Sequence, residues 1–326
     1  MREFELLDRI FAQNGSLPDH VLLPPGDDMA LLSLGGCTQL LAAADSVIEG
    51  RHTPRGIDPA VIGRKAVLRN VSDVAAMANA RPVATIATVV LPRDITQERA
   101  WRLYEGLRDA ALAWSAPLVG GDIATTSSED PCAPIIACVT ILAVPLDPSR
   151  PVATRAAARD GDHVYVTGSI GGAWDPATGL GRHLDFTPRL AVAQALFREL
   201  GHRLGAMIDV SDGLGRDLGH IAAQSRVAIE IDLASVPVTP GCHVREALGH
   251  GEDYELAFTA RGAVPTWIEG VPIVRIGRVR AGHAGVVALD GARHVDISSL
   301  GFEHDGGGSR STMRLSGGAM GGGVST

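Results

Sequence analysis

Aspartates recur along this chain in five short motifs that each close or follow an apolar run. An unpaired buried carboxylate is costly, and several carboxylates in one cleft repel each other unless a cation lies between them. Hard oxygen ligands without a histidine or cysteine cluster favour magnesium, which usually keeps open positions for nucleotide phosphates. The residues therefore predict a Mg-ATP enzyme. The motifs are Pro25-Gly26-Asp27-Asp28, Ala44-Asp45-Ser46, Asn70-Val71-Ser72-Asp73, Gly120-Gly121-Asp122 and Asp209-Val210-Ser211-Asp212-Gly213.

The last of these motifs carries the sharpest signal. Asp209 and Ser211 alternate with apolar neighbours, as at the end of a strand, and Asp212 is expected to begin a helix as its N-cap. The same helix N-terminus can also receive a phosphate. Capping explains one carboxylate but not both, so the motif favours a ligand site.

Other motifs have a structural interpretation beside the functional one. Gly26-Asp27-Asp28 is also typical of a solvated turn, and Gly120-Gly121-Asp122 of a plain turn, although paired glycines let a backbone approach a ligand closely. The acids within residues 251–256 (GEDYEL) are also typical of a strand edge protected by charge. The glycines of 168–172 are weak signals of phosphate binding. Recurrence of the pattern is what favours function.

Lys65, Arg69 and Asp73 are four residues apart and share one face of a predicted helix. A surface ladder of ion pairs also has this spacing and contributes only ~0.3–0.5 kcal/mol per pair. The residues that follow Asp73 are small and apolar, however, which predicts a buried helix. Because a buried carboxylate needs a partner, the functional interpretation is favoured.

Composition limits the classes of protein that fit. The 326 residues suffice for two domains, and 45% hydrophobic residues allow a sizeable core. A net charge of -8 argues against a nucleic-acid partner. Four cysteines without a CxxC pair predict a reduced, cytoplasmic setting, and no apolar run reaches membrane-spanning length. The chain lacks the GxxxxGK[ST] and HExxH motifs.

Periodicity predicts mixed strands and helices in both halves of the chain. The domain boundary is placed in a proline-rich and charged stretch, giving domains 1–146 and 147–305, followed by a disordered glycine-rich tail, 306–326. Predicted helices are 2–13, one that begins at Asp58-Pro59, one from Asp94 to about Ala113, 188–200 and 213–224. Predicted strands are 39–44, 82–91, 134–146, 163–167, 206–209, 227–233, 253–259, 272–279 and 285–289.

Over about residues 3–305 the chain resembles the thiamine-monophosphate kinase family, within the aminoimidazole-ribonucleotide-synthetase-like superfamily. The segments that carry the resemblance are GDDMALL, AADSVIEGRH, KAVLRNVSDVAAM, LVGGD, MIDVSDGLGRDLGHIA, GHGEDYEL and GFEH, in family order. The resemblance implies a two-domain α/β and α+β fold whose N-terminal domain forms a dimeric β-barrel-like interface, hence a homodimer. It also implies direct in-line transfer of the ATP γ-phosphoryl group to thiamine monophosphate, giving thiamine diphosphate and ADP.

The resemblance further implies roles for single residues. The implied magnesium ligands are Asp28, Asp45, Asp73, Asp122, Asp209 and Asp212. The implied ATP contacts are Tyr104, Gly121, Arg155 and Ser211. The implied contacts to thiamine monophosphate are His52, Glu252 and Phe302. Catalytic roles are implied for Asp122, Arg155 and Asp212, and a structural one for Asp27.

The chain departs from the family pattern at three positions. Ala43 and Ala44 stand where hydroxyl residues are usual, and Thr53 stands where an aromatic residue is usual. Two alternatives stay open. One is another ATP-dependent enzyme of the superfamily, similar to selenophosphate synthetase or aminoimidazole ribonucleotide synthetase, although the reactive cysteine of the former is not evident here. The other is a non-catalytic nucleotide-binding sensor.

Overall fold

The computed structural model describes residues 3–13, 17–36, 38–127, 133–291 and 293–302. The predicted tail, 306–326, lies outside the described residues. The helices are α1 (Glu3–Gln13), α2 (Pro59–Ala76), α3 (Gln97–Ala113), α4 (Leu190–Leu200), α5 (Leu214–Ser225) and α6 (Val244–Ala247). The strands are β1 (Val21–Leu23), β2 (Ala30–Ser33), β3 (Gln39–Ile48), β4 (Ala80–Leu91), β5 (Leu118–Thr125), β6 (Ile136–Pro145), β7 (His163–Thr167), β8 (Leu204–Asp209), β9 (Ala228–Asp232), β10 (Leu256–Ala260), β11 (Trp267–Ile268), β12 (Val271–Arg280), β13 (Gly285–Asp290) and β14 (Arg293–Asp296).

The first six strands form one sheet in the order β1-β2-β3-β6-β4-β5. Only the β4–β5 pair is parallel among these described strands. Successive side chains of a strand point to opposite faces. On β4, Ala87 and Val89 are buried and point to one face of the sheet. Ile86, which points to the other face, is 38% exposed. The sheet therefore has one face covered by α2 and α3 and one face that is open in the single chain.

Helix α2 is buried along most of its length. The Asp58 carboxylate accepts from the backbone N–H of Ala60 at 3.0 Å, and Pro59 occupies the first position, which confirms the predicted helix start. The helix packs against the first sheet on one side and against α4 and β8 on another. A helix enclosed in this way brings its polar side chains into the interior, where each needs a partner.

The second sheet has the strand order β14-β13-β9-β12-β7-β10-β8, with β11 paired to β12. Helix α5 packs on this sheet through Leu214, Leu218 and Ile221, which are fully buried. Strand β8 ends at Asp209, directly before the loop that leads into α5. This loop is therefore held between a buried strand and a buried helix face.

The structure confirms the predicted elements and corrects several of their ends. Helix α3 is capped by Thr96, which accepts from the N–H of Arg99, and not by Asp94. The strand predicted at 253–259 begins only at Leu256, because Glu252 and Tyr254 have φ values of 56° and 51° that no strand adopts. Among the described residues, no helix combines the length and apolarity needed to cross a bilayer.

Candidate active site

Three of the predicted metal ligands converge at the junction of the two sheets. One carboxylate oxygen from each of Asp28, Asp73 and Asp209 lies within 4.8 Å of the others. Asp28 precedes β2, Asp73 lies on α2, and Asp209 ends β8. We call these three residues the acid cluster. Its donor set of hard oxygens at close range fits a divalent cation such as magnesium.

Burial and mutual repulsion disfavour the charged form of this cluster. Burial, followed by the charges of Asp45 and Asp209, raises the pKa of Asp73 well above its ordinary value. Burial and the Asp28 charge raise the pKa of Asp209 to about 7. Carboxylates held this close without a cation are therefore destabilising at neutral pH, which is expected of a site shaped for a positive ligand.

Two arginines lie next to the cluster, and each forms an ion pair with one aspartate. Arg155 Nη2 donates to Asp28 Oδ1 at 2.5 Å, and Arg155 Nη1 donates to the Gly26 carbonyl at 3.1 Å. Arg69 Nε lies 3.2 Å from Asp45 Oδ2. Asp45 lies beside the acid cluster, since its charge contributes to the raised pKa of Asp73. Arg155 is thus engaged with Asp28.

The loop between β8 and α5 is stabilised differently from the prediction. Asp212 was predicted to cap α5, but the N-cap residue is Gly213 and the Asp212 side chain makes no capping bond. Asp217, one turn into the helix, instead accepts from the N–H groups of Asp212 and Gly213 at 3.2 and 3.1 Å. Burial raises the pKa of Asp212 to about 6. Asp217 was missed by sequence reasoning, although an acid in the first turn of a helix was an available signal.

The GEDYEL segment runs beside this same loop. The N–H of Glu252 donates to the Ser211 carbonyl at 2.6 Å, and a Cβ at Gly251 would lie 2.7 Å from that oxygen. The interpretation of a charge-protected strand edge is wrong, because Asp253 and Glu255 are 4% and 3% exposed. Each is paired with an arginine from the segment between β7 and α4: Asp253 with Arg182 and Glu255 with Arg189.

The predicted contacts to thiamine monophosphate lie close together. Lys65 Nζ donates to the His52 carbonyl at 2.7 Å and to the Glu252 carboxylate at 2.8 Å. The Arg51 guanidinium lies 5.3 Å from the centre of the Phe302 ring. The backbone N–H of Phe302 donates to the Asp212 carbonyl at 2.8 Å. Lys65 thus links His52 to Glu252, and Arg51, the neighbour of His52, contacts Phe302.

Gly121, Asp122 and Tyr104 are not brought to the acid cluster within the chain. One row of paired residues crosses the first sheet. It runs from Asp45 on β3 through Val139 on β6 and Ala87 on β4 to Gly121 on β5. Three strand spacings separate Asp45 from Gly121, or about 14 Å. Asp122 is paired with the exposed Thr88, so it points to the open face.

Local packing explains two of these residues without a ligand. A Cβ at Gly121 would lie 1.9 Å from the Ala87 carbonyl, so the neighbouring strand itself requires glycine there. Tyr104 lies on the exposed side of α3, 39% exposed, where its ring is 5.1 Å from that of Trp101. Gly121 was therefore a signal of strand packing, and the region 118–125 is a strand and not a turn.

Comparisons of the sequence and of the structure with known proteins agree on one family. Residues 26–142 match the family described as AIR synthase related protein, N-terminal domain. The chain is 33% identical to the thiamine-monophosphate kinase of Escherichia coli (strain K12), over 93% of this chain and 98% of that protein. The structure of AaThiL complexed with AMPPCP and TMP matches with a TM-score of 0.75 and 28% identity, over 93% of this chain and 97% of that chain. The thiamine monophosphate kinase of Aquifex aeolicus matches with a TM-score of 0.70 and 27% identity, over 89% and 97%.

Proposed function

Since the chain belongs to the thiamine-monophosphate kinase family, we infer that it catalyses the ATP-dependent phosphorylation of thiamine monophosphate to thiamine diphosphate. ATP is the co-substrate. The structural observation that carries this conclusion is the acid cluster, which unites Asp28, Asp73 and Asp209 from three distant segments. The loop after Asp209 contacts Glu252, and Lys65 on α2 links Glu252 to His52.

We propose that Mg²⁺ binds at the acid cluster, with Asp28, Asp73 and Asp209 as ligands and Asp45 and Asp212 beside them. The raised pKa values of Asp73 and Asp209 support this, because a cation removes the repulsion that disfavours their charged forms. When bound, Mg²⁺ would neutralise phosphate charge and align the reacting groups. The role of Asp122 as a further ligand is a separate proposal, since it lies on the open face of the sheet.

The proposed reaction needs no catalytic base. The attacking atom is a phosphate oxygen of thiamine monophosphate, which is already ionised at neutral pH. It forms a bond to the γ-phosphorus of ATP while the bond to the β,γ-bridging oxygen breaks, and ADP leaves with that electron pair. The work left to the protein is to bring two anions together in line. A site rich in carboxylates and arginines, without a general base, suits this task.

We assign the remaining residues by the same proposal. Ser211 lies in the loop before α5, where an ATP phosphate would approach the helix N-terminus. Arg155 would supply a fixed positive charge to the transferring group once the cation takes over Asp28. Gly121 and Tyr104 are proposed as ATP contacts, and His52, Glu252 and Phe302 as contacts to thiamine monophosphate. Asp27, whose Oδ2 accepts from the N–H of Arg155 at 3.0 Å, is proposed to be structural.

We further propose a homodimer formed through the open face of the first sheet. Support comes from exposed apolar side chains: Ile86, on this face, is 38% exposed, and Val119, on the edge strand β5, is 63% exposed. Exposed apolar groups gathered in one area mark interaction surfaces. The proposed domains are 1–146 and 147–305, and the proposed setting is the cytoplasm.

A substrate panel tests the reaction class. Purified protein is incubated with Mg-ATP and either thiamine monophosphate, selenide or formylglycinamidine ribonucleotide, and the release of ADP and of AMP is measured for each. We expect ADP release only with thiamine monophosphate. Release with another substrate would show that the protein has a different activity of the superfamily. ATP binding without release in any reaction would favour a sensor.

A further inference from the structure

A fully buried lysine lies behind the residues proposed to contact thiamine monophosphate. Lys65 is 0% exposed, and its Nζ has three partners: the His52 carbonyl, His183 Nδ1 at 2.7 Å and the Glu252 carboxylate. An ammonium group has three N–H donors and no acceptor. These partners therefore match its hydrogen-bonding capacity in full, although they come from three separate segments of the chain.

His183 is the third side chain of this group and contacts both Lys65 and Glu252. Its Nε2 contacts the Gly179 carbonyl at 3.0 Å, and since a carbonyl can only accept, Nε2 keeps its proton. Its Nδ1 contacts both Lys65 Nζ and Glu252 Oε2. The charges of the Lys65 ammonium and the Glu252 carboxylate compensate each other within this trio. A neutral, fully bonded trio is the form in which charged groups are tolerated in an interior.

Glu252 is held in a conformation that it would not adopt freely. Its φ of 56° lies in the left-handed region, which is uncommon for residues other than glycine. Although burial raises the pKa of Glu252, the Lys65 charge and the His183 contact hold it well below its ordinary value. Glu252 is thus kept as a carboxylate, an acceptor only, in one orientation.

We propose that Lys65, together with His183, is a positioning residue for recognition of thiamine monophosphate. Lys65 on α2 fixes Glu252, 187 residues away, relative to the backbone of His52. A fixed carboxylate selects a hydrogen-bond donor or a positive charge, and the aminopyrimidine and thiazolium rings of thiamine supply both. The phosphates of ATP offer neither. The inference rests on the proposed function and deepens it by assigning residues to the selection of the acceptor substrate.

The first test is Lys65→Met, which keeps an unbranched side chain and removes the ammonium. We expect the KM for thiamine monophosphate to rise by about tenfold or more, with the KM for ATP within about twofold of wild type. The matched control is Arg64→Met on the neighbouring position of α2, where Arg64 forms an exposed pair with Asp185. The control should leave both constants unchanged. An equal rise in both constants for Lys65→Met would overturn the proposal.

A second variant covers the case in which Lys65→Met fails to fold, because it leaves the partly buried Glu252 carboxylate without its partner. Lys65→Met combined with Glu252→Met removes both charges, and replacing a buried ion pair by apolar residues is often neutral for stability. We expect this double variant to melt near wild type and to bind thiamine monophosphate as weakly as Glu252→Met alone. Wild-type affinity in the folded double variant would overturn the proposal.

His183→Asn gives a graded readout, because asparagine keeps a polar atom near the Nδ1 position and loses the contact to Gly179. Its effect should fall between wild type and Lys65→Met and should again be confined to thiamine monophosphate. Turnover by wild type tests the proposed function separately. An active wild type whose Lys65 variant keeps its KM contradicts the positioning role alone. An inactive wild type that binds thiamine monophosphate in a Lys65-dependent manner, measured by calorimetry, contradicts the function alone.

Discussion

The Ser72 hydroxyl donates to Asp209 Oδ2 at 2.6 Å, joining α2 to the end of β8 across 137 residues of sequence. Both side chains are buried, Ser72 at 1% and Asp209 at 3% exposure. The bond lowers the pKa of Asp209, against burial and the Asp28 charge, which raise it. Ser72 thus supports the charged form of a proposed magnesium ligand and aims one of its two oxygens.

Ser72→Ala should weaken the metal site without abolishing it. Loss of one hydrogen bond to a charged group costs about 1.5–3 kcal/mol, so the Mg²⁺ concentration for half-maximal activity should rise by roughly tenfold or more. The measurement is a Mg²⁺ titration of activity at fixed ATP. Ser149→Ala is the control, since Ser149 is exposed and bonds only locally to Asp147. An unchanged Mg²⁺ requirement would remove Ser72 from the support of the site.

Asp73→Asn should separate activity from stability. The variant removes a proposed ligand, and we expect turnover to fall by about three orders of magnitude. It also removes a buried charge next to Asp28 and Asp209. The free energy of unfolding of the metal-free variant should therefore be about 1 kcal/mol higher than that of the metal-free wild type. Thermal melts with and without Mg²⁺ measure this. A variant less stable than metal-free wild type would show that Asp73 is a structural residue.

The stability of the metal-free protein should fall as pH rises from 5 to 7. Asp209 and Asp212 have pKa values raised to about 7 and about 6, above their unfolded value of 3.8. Their protonated forms stabilise the fold, and that contribution is lost as pH rises through the folded pKa values. Mg²⁺ binds the charged forms, so stabilisation by Mg²⁺ should grow over the same interval. Melts at pH 5 and pH 7 check the sign, and equal Mg²⁺ effects at both values would contradict it.

Asp122→Asn tests whether a residue on the open face takes part in the reaction. If Asp122 binds a metal at the reacting phosphates, turnover should fall by several orders of magnitude while the fold stays intact. Because Asp122 lies on the open face, and its neighbour Gly121 lies three strand spacings, about 14 Å, from Asp45, such a loss would require a second metal or a second copy of the chain. Asp109→Asn, an exposed acid on α3, is the control. A near-normal rate would remove Asp122 from the metal set.

Sequence reasoning reached the parts of the site that depend on local pattern. The spacing of Lys65, Arg69 and Asp73 identified one face of α2, and the apolar residues beside it indicated burial, which the structure confirms. The end of β8 at Asp209 followed from the alternation before it. Such features are set by periodicities of 3.6 and 2, which a single sequence displays directly.

The remainder depends on contacts between distant segments. His183 lies in a single turn of 3-10 helix, Arg182–Leu184, without a distinguishing pattern, and only the tertiary fold brings its Nδ1 to Lys65. The positive φ of Glu252 was not visible either, since the acid pattern of its segment also fits a strand. Asp122 and Asp45 each stand in a strand of one sheet, yet only the strand order reveals that they point to opposite faces.

The most direct test of the account is formation of thiamine diphosphate. Purified protein is incubated with ATP, thiamine monophosphate and Mg²⁺, and the product is measured through its fluorescent oxidation product, beside a reaction with chelator. We predict Mg²⁺-dependent product in equal amount to the ADP released. No thiamine diphosphate, under conditions in which the Escherichia coli kinase forms it, would contradict the account.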